Sequence, residues 1–81
     1  MNLTRLAAKQ KRYLDIQRFA ETETRDPAVK VRLQKTLESY RTTLAQLWKE
    51  KEAPQAATEQ RLASLERELE MLHNEARLMG C

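Results

Sequence analysis

Several residue types that build compact active sites are scarce in this sequence. Its 81 residues include one cysteine, one glycine and two prolines, and aromatic residues make up 5%. One cysteine excludes a disulfide framework, because a framework needs pairs. The single glycine leaves no glycine-rich loop to cradle a phosphate. Alanine, leucine, glutamine, glutamate, lysine and arginine fill most positions, and these residues favour helices.

Long apolar runs are absent as well. No segment approaches the roughly 20 residues that span a bilayer, and Arg5, Lys9 and Lys11 interrupt the stretch where a signal peptide would be apolar. We therefore expect a soluble protein of the reducing cytoplasm. Residues 1–81 form one small domain at most, and a domain of this size buries only about 60% of its unfolded surface. Its stability is expected to depend on a partner or on oligomerisation.

Two stripes with heptad spacing dominate the second half of the chain. The first comprises Leu33, Leu37, Tyr40, Leu44 and Leu47, and the second comprises Leu62, Leu65, Leu69, Leu72, Ala76 and Met79. Steps of three and four residues keep one edge of a helix facing a partner helix. Folding the chain about residue 53 brings Leu44 near Leu62 and Leu37 near Leu69. The leucines of both stripes, together with Tyr40, are the predicted hairpin core.

Local signals predict where the helices begin and end. Asp26 can accept bonds from the first free amides of a helix, and Pro27 suits the first helical position because its missing N–H would be unpaired there. Pro54 disfavours helical geometry at the preceding residue and marks a turn, which lacks the glycine of the usual left-handed C-cap. The predicted helices span about residues 2–23, 26–51 and 54–79.

These patterns predict an all-α fold, an antiparallel two-helix coiled-coil hairpin with an additional N-terminal helix. A parallel dimer or a larger bundle would use the same two stripes and is the alternative. The apolar residues of the first segment cover a broad face without a clean heptad, which suits a helix that crosses the hairpin or folds on a partner.

Some apolar residues lie off the hairpin seam and are candidates for binding a partner. Tryptophan, tyrosine and methionine are enriched at such surfaces. The first segment alternatively folds back and covers part of this set. The predicted partner-binding residues are Tyr13, Ile16, Phe19, Val31, Trp48, Met71 and Leu78.

Charge is distributed unevenly along the chain. Residues 1–19 carry five basic residues against one acidic residue, whereas residues 53–81 carry three against five. Opposite signs at the two ends favour intramolecular docking or head-to-tail association. A basic first helix also allows contact with nucleic acid. This is a minor alternative, because the basic residues alternate with Ala, Leu and Tyr and no nucleic-acid-binding motif follows.

Chemistry that would support catalysis is not evident in the sequence. The only histidine, His73, has no plausible cysteine or histidine companions for a metal, and Glu66 and Glu70 are expected to form a solvated stripe. Glutamate-x-x-histidine pairs, which hold di-iron centres in helical bundles, do not occur. We therefore expect a non-enzymatic protein without a cofactor or metal, and we assign Cys81 no function.

Three short segments resemble the small co-chaperones of bacterial type III secretion needle subunits. They are Leu3-Thr4-Arg5-Leu6, Val31-Arg32-Leu33-Gln34-Lys35-Thr36-Leu37, and Leu65-Glu66 followed by Met71-Leu72-His73. Members of that family consist of a variable N-terminal helix followed by a two-helix hairpin. The family's turn often carries glycine, where this chain has Glu52-Ala53-Pro54.

The resemblance implies a function in secretion. A co-chaperone of this family pairs with a helical-repeat chaperone, and the pair keeps the needle subunit soluble and monomeric before export. The expected partners are therefore a helical-repeat chaperone and a needle subunit. A self-associating coiled-coil adaptor, which would be a homo-oligomer, is the main alternative.

Overall fold

A computed structural model of the protein describes residues 3–80 and contains three α-helices, with no strand in that range. The helices are α1 (Leu3–Thr22), α2 (Pro27–Lys49) and α3 (Ala56–Gly80). Their ends lie within two residues of the predicted ones. The predicted start at residue 2 and Cys81 lie outside the described residues. The molecule measures 41 × 20 × 16 Å, and α3 alone is about 38 Å long at 1.5 Å per residue. The helices therefore lie side by side.

Asp26 and Pro27 begin α2 in the predicted way. Asp26 has an extended backbone, with φ −72° and ψ 118°. Its Oδ1 accepts hydrogen bonds from the amides of Ala28 at 2.9 Å and Val29 at 3.2 Å. Two of the four amides that a helix start leaves unpaired are thus satisfied by one side chain.

We expect Asp26→Ala to lower the free energy of unfolding by about 1 kcal/mol, within the range of N-cap substitutions. The loss follows from returning two amides to water without changing the core. Urea denaturation monitored by circular dichroism measures it. Asp15→Ala, an exposed aspartate in the middle of α1, is the matched control. Equal stability of the two variants would contradict the capping role.

Glu50 is the C-cap of α2 and ends the helix without the glycine that many helix ends use. Its amide donates to the carbonyls of Gln46 and Leu47, both at 3.1 Å, with φ at −95°. Its carboxylate accepts from Gln46 Nε2 at 2.7 Å, from the Gln55 amide at 3.1 Å and from Thr58 Oγ1 at 3.2 Å. The bonds from Gln46 and Gln55 lower the pKa of Glu50. One side chain thus joins the end of α2 to the start of α3 without a left-handed residue.

Helices α2 and α3 pack along the two predicted stripes. Thr36 Oγ1 donates to Glu68 Oε1 at 3.2 Å, and Arg32 Nη1 lies 3.8 Å from Glu75 Oε2. Residue numbers in contact rise along α2 as they fall along α3, as in a helical hairpin. Of the nine predicted core residues, all are buried except Leu65, which is half-buried against the core.

Helix α1 adds a third heptad seam, which was not predicted. The rings of Tyr13 and Tyr40 stack with their centroids 6.2 Å apart. Aligning α1 and α2 on this contact sets Leu6 opposite Leu47, Ile16 opposite Leu37 and Ala20 opposite Leu33. All six of these side chains are buried. The seam consists of Leu6, Lys9, Tyr13, Ile16 and Ala20, in steps of three and four residues.

The assignment of Tyr13 and Ile16 to a partner surface is therefore wrong. Tyr13 is only 6% exposed and Ile16 only 2%. Both side chains fill the space between α1 and α2, because α1 folds back along the hairpin instead of lying apart from it. The bundle thus has three helices contributing to one core.

Candidate protein-binding surface

Among the residues that the structure describes, six large apolar side chains remain exposed after this core has formed. Leu78 is 87% exposed, and the others are between 47% and 57% exposed. They are Leu3, Leu14, Val31, Met71, Leu78 and Met79. Isolated exposed apolar residues are common, whereas groups of them mark binding surfaces. The arrangement of these six around the bundle therefore decides which of them form a surface.

The predicted partner-binding residues have different positions in the structure. Val31, Met71 and Leu78 are exposed. Phe19 and Trp48 are half-buried and pack against the core. Leu3 and Leu14 are exposed, yet the sequence interpretation did not single them out. Recognising the α1 seam would have placed both leucines outside it.

Several of these residues lie on heptad rows that continue from a groove between α1 and α2. The part near the α1–α2 loop is lined by Gln17 and Glu21 from α1 and by Gln34 and Glu38 from α2. Steps of seven residues return to the same edge of a helix. They place Leu3 on the row of Gln17, and they place Ala7 and Leu14 on the row of Glu21.

The same periodicity extends the α2 side of the groove. Trp48 lies on the row of Gln34, two heptads further along, and Ala45 follows Glu38 by one heptad. Ala7, Ala45 and Leu14 are exposed, and Trp48 is half-buried. The part of the groove near the loop is thus polar. Beyond it, α1 adds exposed apolar side chains, whereas the α2 row passes through Arg41 before it reaches Trp48, and Ala45 also lines a cleft toward α3.

The outward face of α3 carries a smaller apolar set. Met71 and Leu78 are one heptad apart and share a row on that helix, and both are exposed. Val31 lies on α2 one heptad before Glu38, a residue of the groove, and next to the exposed, polar Arg32. Met71 and Leu78 therefore form a narrow row on a single helix, whereas the exposed apolar residues on the rows beside the α1–α2 groove come from two helices.

Ion pairs join α1 to α3 on the remaining side of the bundle. Lys9 Nζ lies 2.6 Å from Glu66 Oε1, and Arg12 Nη2 lies 2.6 Å from Glu70 Oε2. The basic N-terminal segment and the acidic C-terminal segment thus meet within one chain. Below these pairs is an open cleft of about 360 Å³ whose lining includes Tyr40. Burial raises the pKa of the Tyr40 hydroxyl, and the neighbouring Glu66 raises it further.

Among the described residues, neither a metal-binding group nor similarity to a known protein assigns a chemistry to this surface. Within residues 3–80, no group of three or more histidine, cysteine or acidic side chains is placed to hold a metal. None of the three described helices combines the length and apolar character that a membrane crossing requires. No protein-family model matches this chain, and searches of curated proteins and of solved structures find no match.

His73 lies at the interface between α1 and α3. Its ring meets the Phe19 ring edge-on, with the centroids 4.5 Å apart and the planes at 81°. Its Nδ1 is buried and has no hydrogen-bond partner among the described residues. Burial lowers the pKa of His73, with smaller contributions from Arg12 and Arg77, and Glu70 and Glu23 oppose them. The neutral ring is thus the form that this interface accommodates.

We expect the free energy of unfolding to decrease as the pH falls below about 6.5, the pKa of an unperturbed histidine. Because the folded-state pKa of His73 is lowered, the unfolded chain binds the proton first. The loss grows until the folded protein is protonated as well. Urea denaturation between about pH 7.5 and pH 5 keeps the measurement above the range in which unperturbed carboxylates titrate.

His73→Gln is the control for this pH dependence, because glutamine keeps a polar side chain that does not titrate. We expect its stability to change less than that of the original protein over the same pH interval. Identical slopes for the two proteins would show that His73 is not the responsible group.

Proposed function

We propose that this protein is a non-enzymatic binding module that acts as a co-chaperone. The observation that carries the proposal is the exposure of large apolar side chains around a bundle whose core is already filled by all three helices. Such side chains gain free energy when a partner removes them from water.

We further propose that α2 and α3 form an antiparallel coiled coil that serves as the scaffold. Heptad spacing in both stripes supports it, as does the opposite progression of the contacts Arg32–Glu75 and Thr36–Glu68. A scaffold of this kind holds the exposed residues of α1 and α2 in fixed relative positions. It leaves those residues available to a second protein.

The proposed partner is a helical-repeat chaperone of a type III secretion system. Together the two proteins would keep a needle subunit soluble and monomeric in the bacterial cytoplasm. The small size, the helical hairpin with an added N-terminal helix and the three sequence segments described above support this role. A partner that binds only the folded bundle would also stabilise it by mass action.

Tagged purification from the native host tests the co-chaperone role. We expect two proteins to accompany the bundle through size-exclusion chromatography, a helical-repeat chaperone and a short helical needle subunit, both identified by mass spectrometry. Separate expression of the chaperone and the needle subunit provides the control for whether each stays soluble alone. A bundle that elutes as a monomer without partners would contradict the proposal.

Self-association is the second candidate function, and the row of Met71 and Leu78 on α3 favours it. Two copies could bury these rows against each other. The unfolding temperature of such an oligomer rises with protein concentration. A concentration-independent transition, together with a monomeric mass by light scattering, would exclude this function.

A further inference from the structure

The open cleft between α1 and α3 is lined by side chains from all three helices. It lies next to the ion pair between Arg12 and Glu70 and has a volume of about 360 Å³. Ile16 of α1, Tyr40 of α2 and Leu69 of α3 contribute buried side chains to its lining. Sites for small molecules in proteins have volumes from about 300 Å³ upward, and they form between the helices of bundles. The size and the walls of this cleft therefore suit a small molecule.

Ala63 keeps this space open. It is exposed and lies on the edge of α3 that faces α1, three residues before Glu66 and one heptad before Glu70. Lys9 and Arg12 of α1 reach those two glutamates, whereas the methyl group of an alanine leaves the gap beside it unfilled. A larger side chain at this position would occupy the cleft.

The hydroxyl group of Tyr40 is an unpaired polar group at the wall of the cleft. Tyr40 is only 1% exposed and its ring stacks on Tyr13, yet its hydroxyl forms no hydrogen bond with the described residues. Burial raises the pKa of this hydroxyl, Glu66 raises it further and Arg12 lowers it. Both charged residues line the cleft, so the hydroxyl faces it and keeps its proton at neutral pH. Because buried tyrosine hydroxyls usually have a partner, the partner of this one comes from within the cleft.

The charges around the cleft are balanced. Its lining includes two arginines, Arg12 and Arg67, and two glutamates, Glu66 and Glu70. The glutamates are engaged by Lys9 and Arg12, at 2.6 Å each, and Arg67 is exposed to water. A charged ligand would lose its hydration here without gaining a desolvated counter-charge, which is costly. The cleft therefore favours a neutral ligand.

We infer that this cleft binds a small neutral alcohol, an apolar molecule of about the size of a cresol with one hydroxyl group. The apolar body of the ligand contacts Ile16, Leu69 and Ala63. Its hydroxyl oxygen accepts a hydrogen bond from Tyr40, and its hydroxyl proton is available to the neighbouring Glu66 carboxylate. The site is separate from the exposed apolar residues of the candidate protein-binding surface and does not depend on the proposed function.

The larger cleft between α2 and α3 lacks the feature that marks this site. It has a volume of about 580 Å³, and its lining includes the buried Thr43 and the half-buried Thr58. Thr43 donates its hydroxyl to the Ser39 carbonyl at 2.9 Å, and Thr58 donates to Glu50 Oε2 at 3.2 Å. Neither hydroxyl therefore needs a ligand, and the cleft against α1 is the stronger candidate.

Three para-substituted toluenes test the inference, because they differ in a single group. p-Cresol carries a hydroxyl group, p-xylene a methyl group and p-toluate a carboxylate. We expect p-cresol to bind the full chain with a Kd of about 1 mM or below, as suits a ligand of this size. It should bind at least about fivefold more tightly than either of the others, since p-xylene displaces water from Tyr40 without replacing its hydrogen bond. Titrations followed by two-dimensional amide NMR measure the affinities, and the largest shifts are expected around Ala63 and Glu66.

Filling the cleft tests its location. We expect Ala63→Leu to weaken p-cresol binding by about tenfold or more, because the added carbons occupy the space of the ligand. Ala45→Leu is the control, since Ala45 is an exposed alanine of α2 that lines the other cleft, and it should leave the affinity unchanged. Far-UV circular dichroism and thermal unfolding verify that both variants remain folded.

Removing the hydroxyl of Tyr40 tests the polar contact. Tyr40→Phe keeps the ring that stacks on Tyr13 and deletes a group without a hydrogen bond to the described residues, so the variant should fold. We expect it to lose the preference for p-cresol over p-xylene, because p-xylene no longer leaves a buried hydroxyl unpaired. A change in packing alone would affect both ligands alike and would leave this ratio unchanged.

Each of four results would overturn the inference. They are no saturable binding of p-cresol up to about 10 mM, equal affinity of Ala63→Leu and the original protein, an unchanged preference in Tyr40→Phe, and binding of p-toluate as tight as that of p-cresol. Purification from the native host adds a fifth. We expect Ala63→Leu to retain any partner protein, and loss of that partner would show that one of its side chains, rather than a free alcohol, occupies the cleft.

Discussion

Alanine in place of Leu37 or of Leu69 is expected to cost about 2–5 kcal/mol of unfolding free energy in each case. Both side chains are buried, and the stripes bring them together between α2 and α3. Replacing leucine with alanine removes apolar area from the core and leaves a cavity that the surrounding helices only partly fill. Since small domains have little stability to spare, either variant should be largely unfolded near physiological temperature.

Urea denaturation measures this loss at a low temperature, at which each variant is still fully folded without urea. Leu78→Ala is the matched control, because Leu78 is 87% exposed in the same helix as Leu69. Its stability should stay within about 0.5 kcal/mol of the original protein, as for most surface substitutions. Comparable losses for Leu69→Ala and Leu78→Ala would contradict the assignment of the core.

Ile16→Ala is expected to lower the free energy of unfolding by about 2–5 kcal/mol as well. The sequence alone assigned Ile16 to a partner surface, and a surface residue would tolerate this substitution. In the structure, Ile16 is 2% exposed and lies opposite Leu37. The loss should therefore appear in the isolated protein, without any partner.

Leu14→Ala provides the comparison on the same helix, since Leu14 is 51% exposed. Thermal and urea unfolding should separate the two variants clearly. If Ile16→Ala leaves the isolated protein as stable as Leu14→Ala does, then α1 does not contribute to the core in solution. The original interpretation of Ile16 as a partner-binding residue would then be restored.

The hairpin stripes were predictable because their periodicity is almost free of polar interruptions. Leu33 to Leu47 and Leu62 to Leu72 repeat at heptad spacing on either side of Pro54, and Asp26 has a recognisable capping role. The seam of α1 was not recognised because Lys9 occupies one of its positions. A lysine is read as a surface residue from sequence, whereas here its stem lies in the seam and its ammonium group reaches Glu66.

The candidate surface was predictable only in part, because the sequence pattern does not show which residues α1 covers. Val31, Met71 and Leu78 lie off the hairpin stripes, and all three are exposed. Tyr13 and Ile16 also lie off those stripes, but α1 covers them. Which face of α1 is left outside depends on the register between helices, and this register follows from tertiary packing rather than from local spacing.

The ion pairs between α1 and α3 have a consequence for how the helices can align. Apolar seams repeat every seven residues, so α1 could slide by one heptad and still meet apolar side chains. Sliding toward the end of α3 would set Lys9 against His73 and Arg12 against Arg77. Sliding the other way would set Lys9 against Glu59 but Arg12 against Ala63, so that Arg12 would lose its carboxylate.

Only the observed alignment gives both cations a carboxylate, at 2.6 Å each. Partly exposed pairs of this kind add little to stability on their own. They act on the alignment of the helices, because they disfavour slipped arrangements that the apolar residues alone would tolerate. Lys9 interrupts the apolar seam, and its ion pair with Glu66 favours one alignment of the three helices.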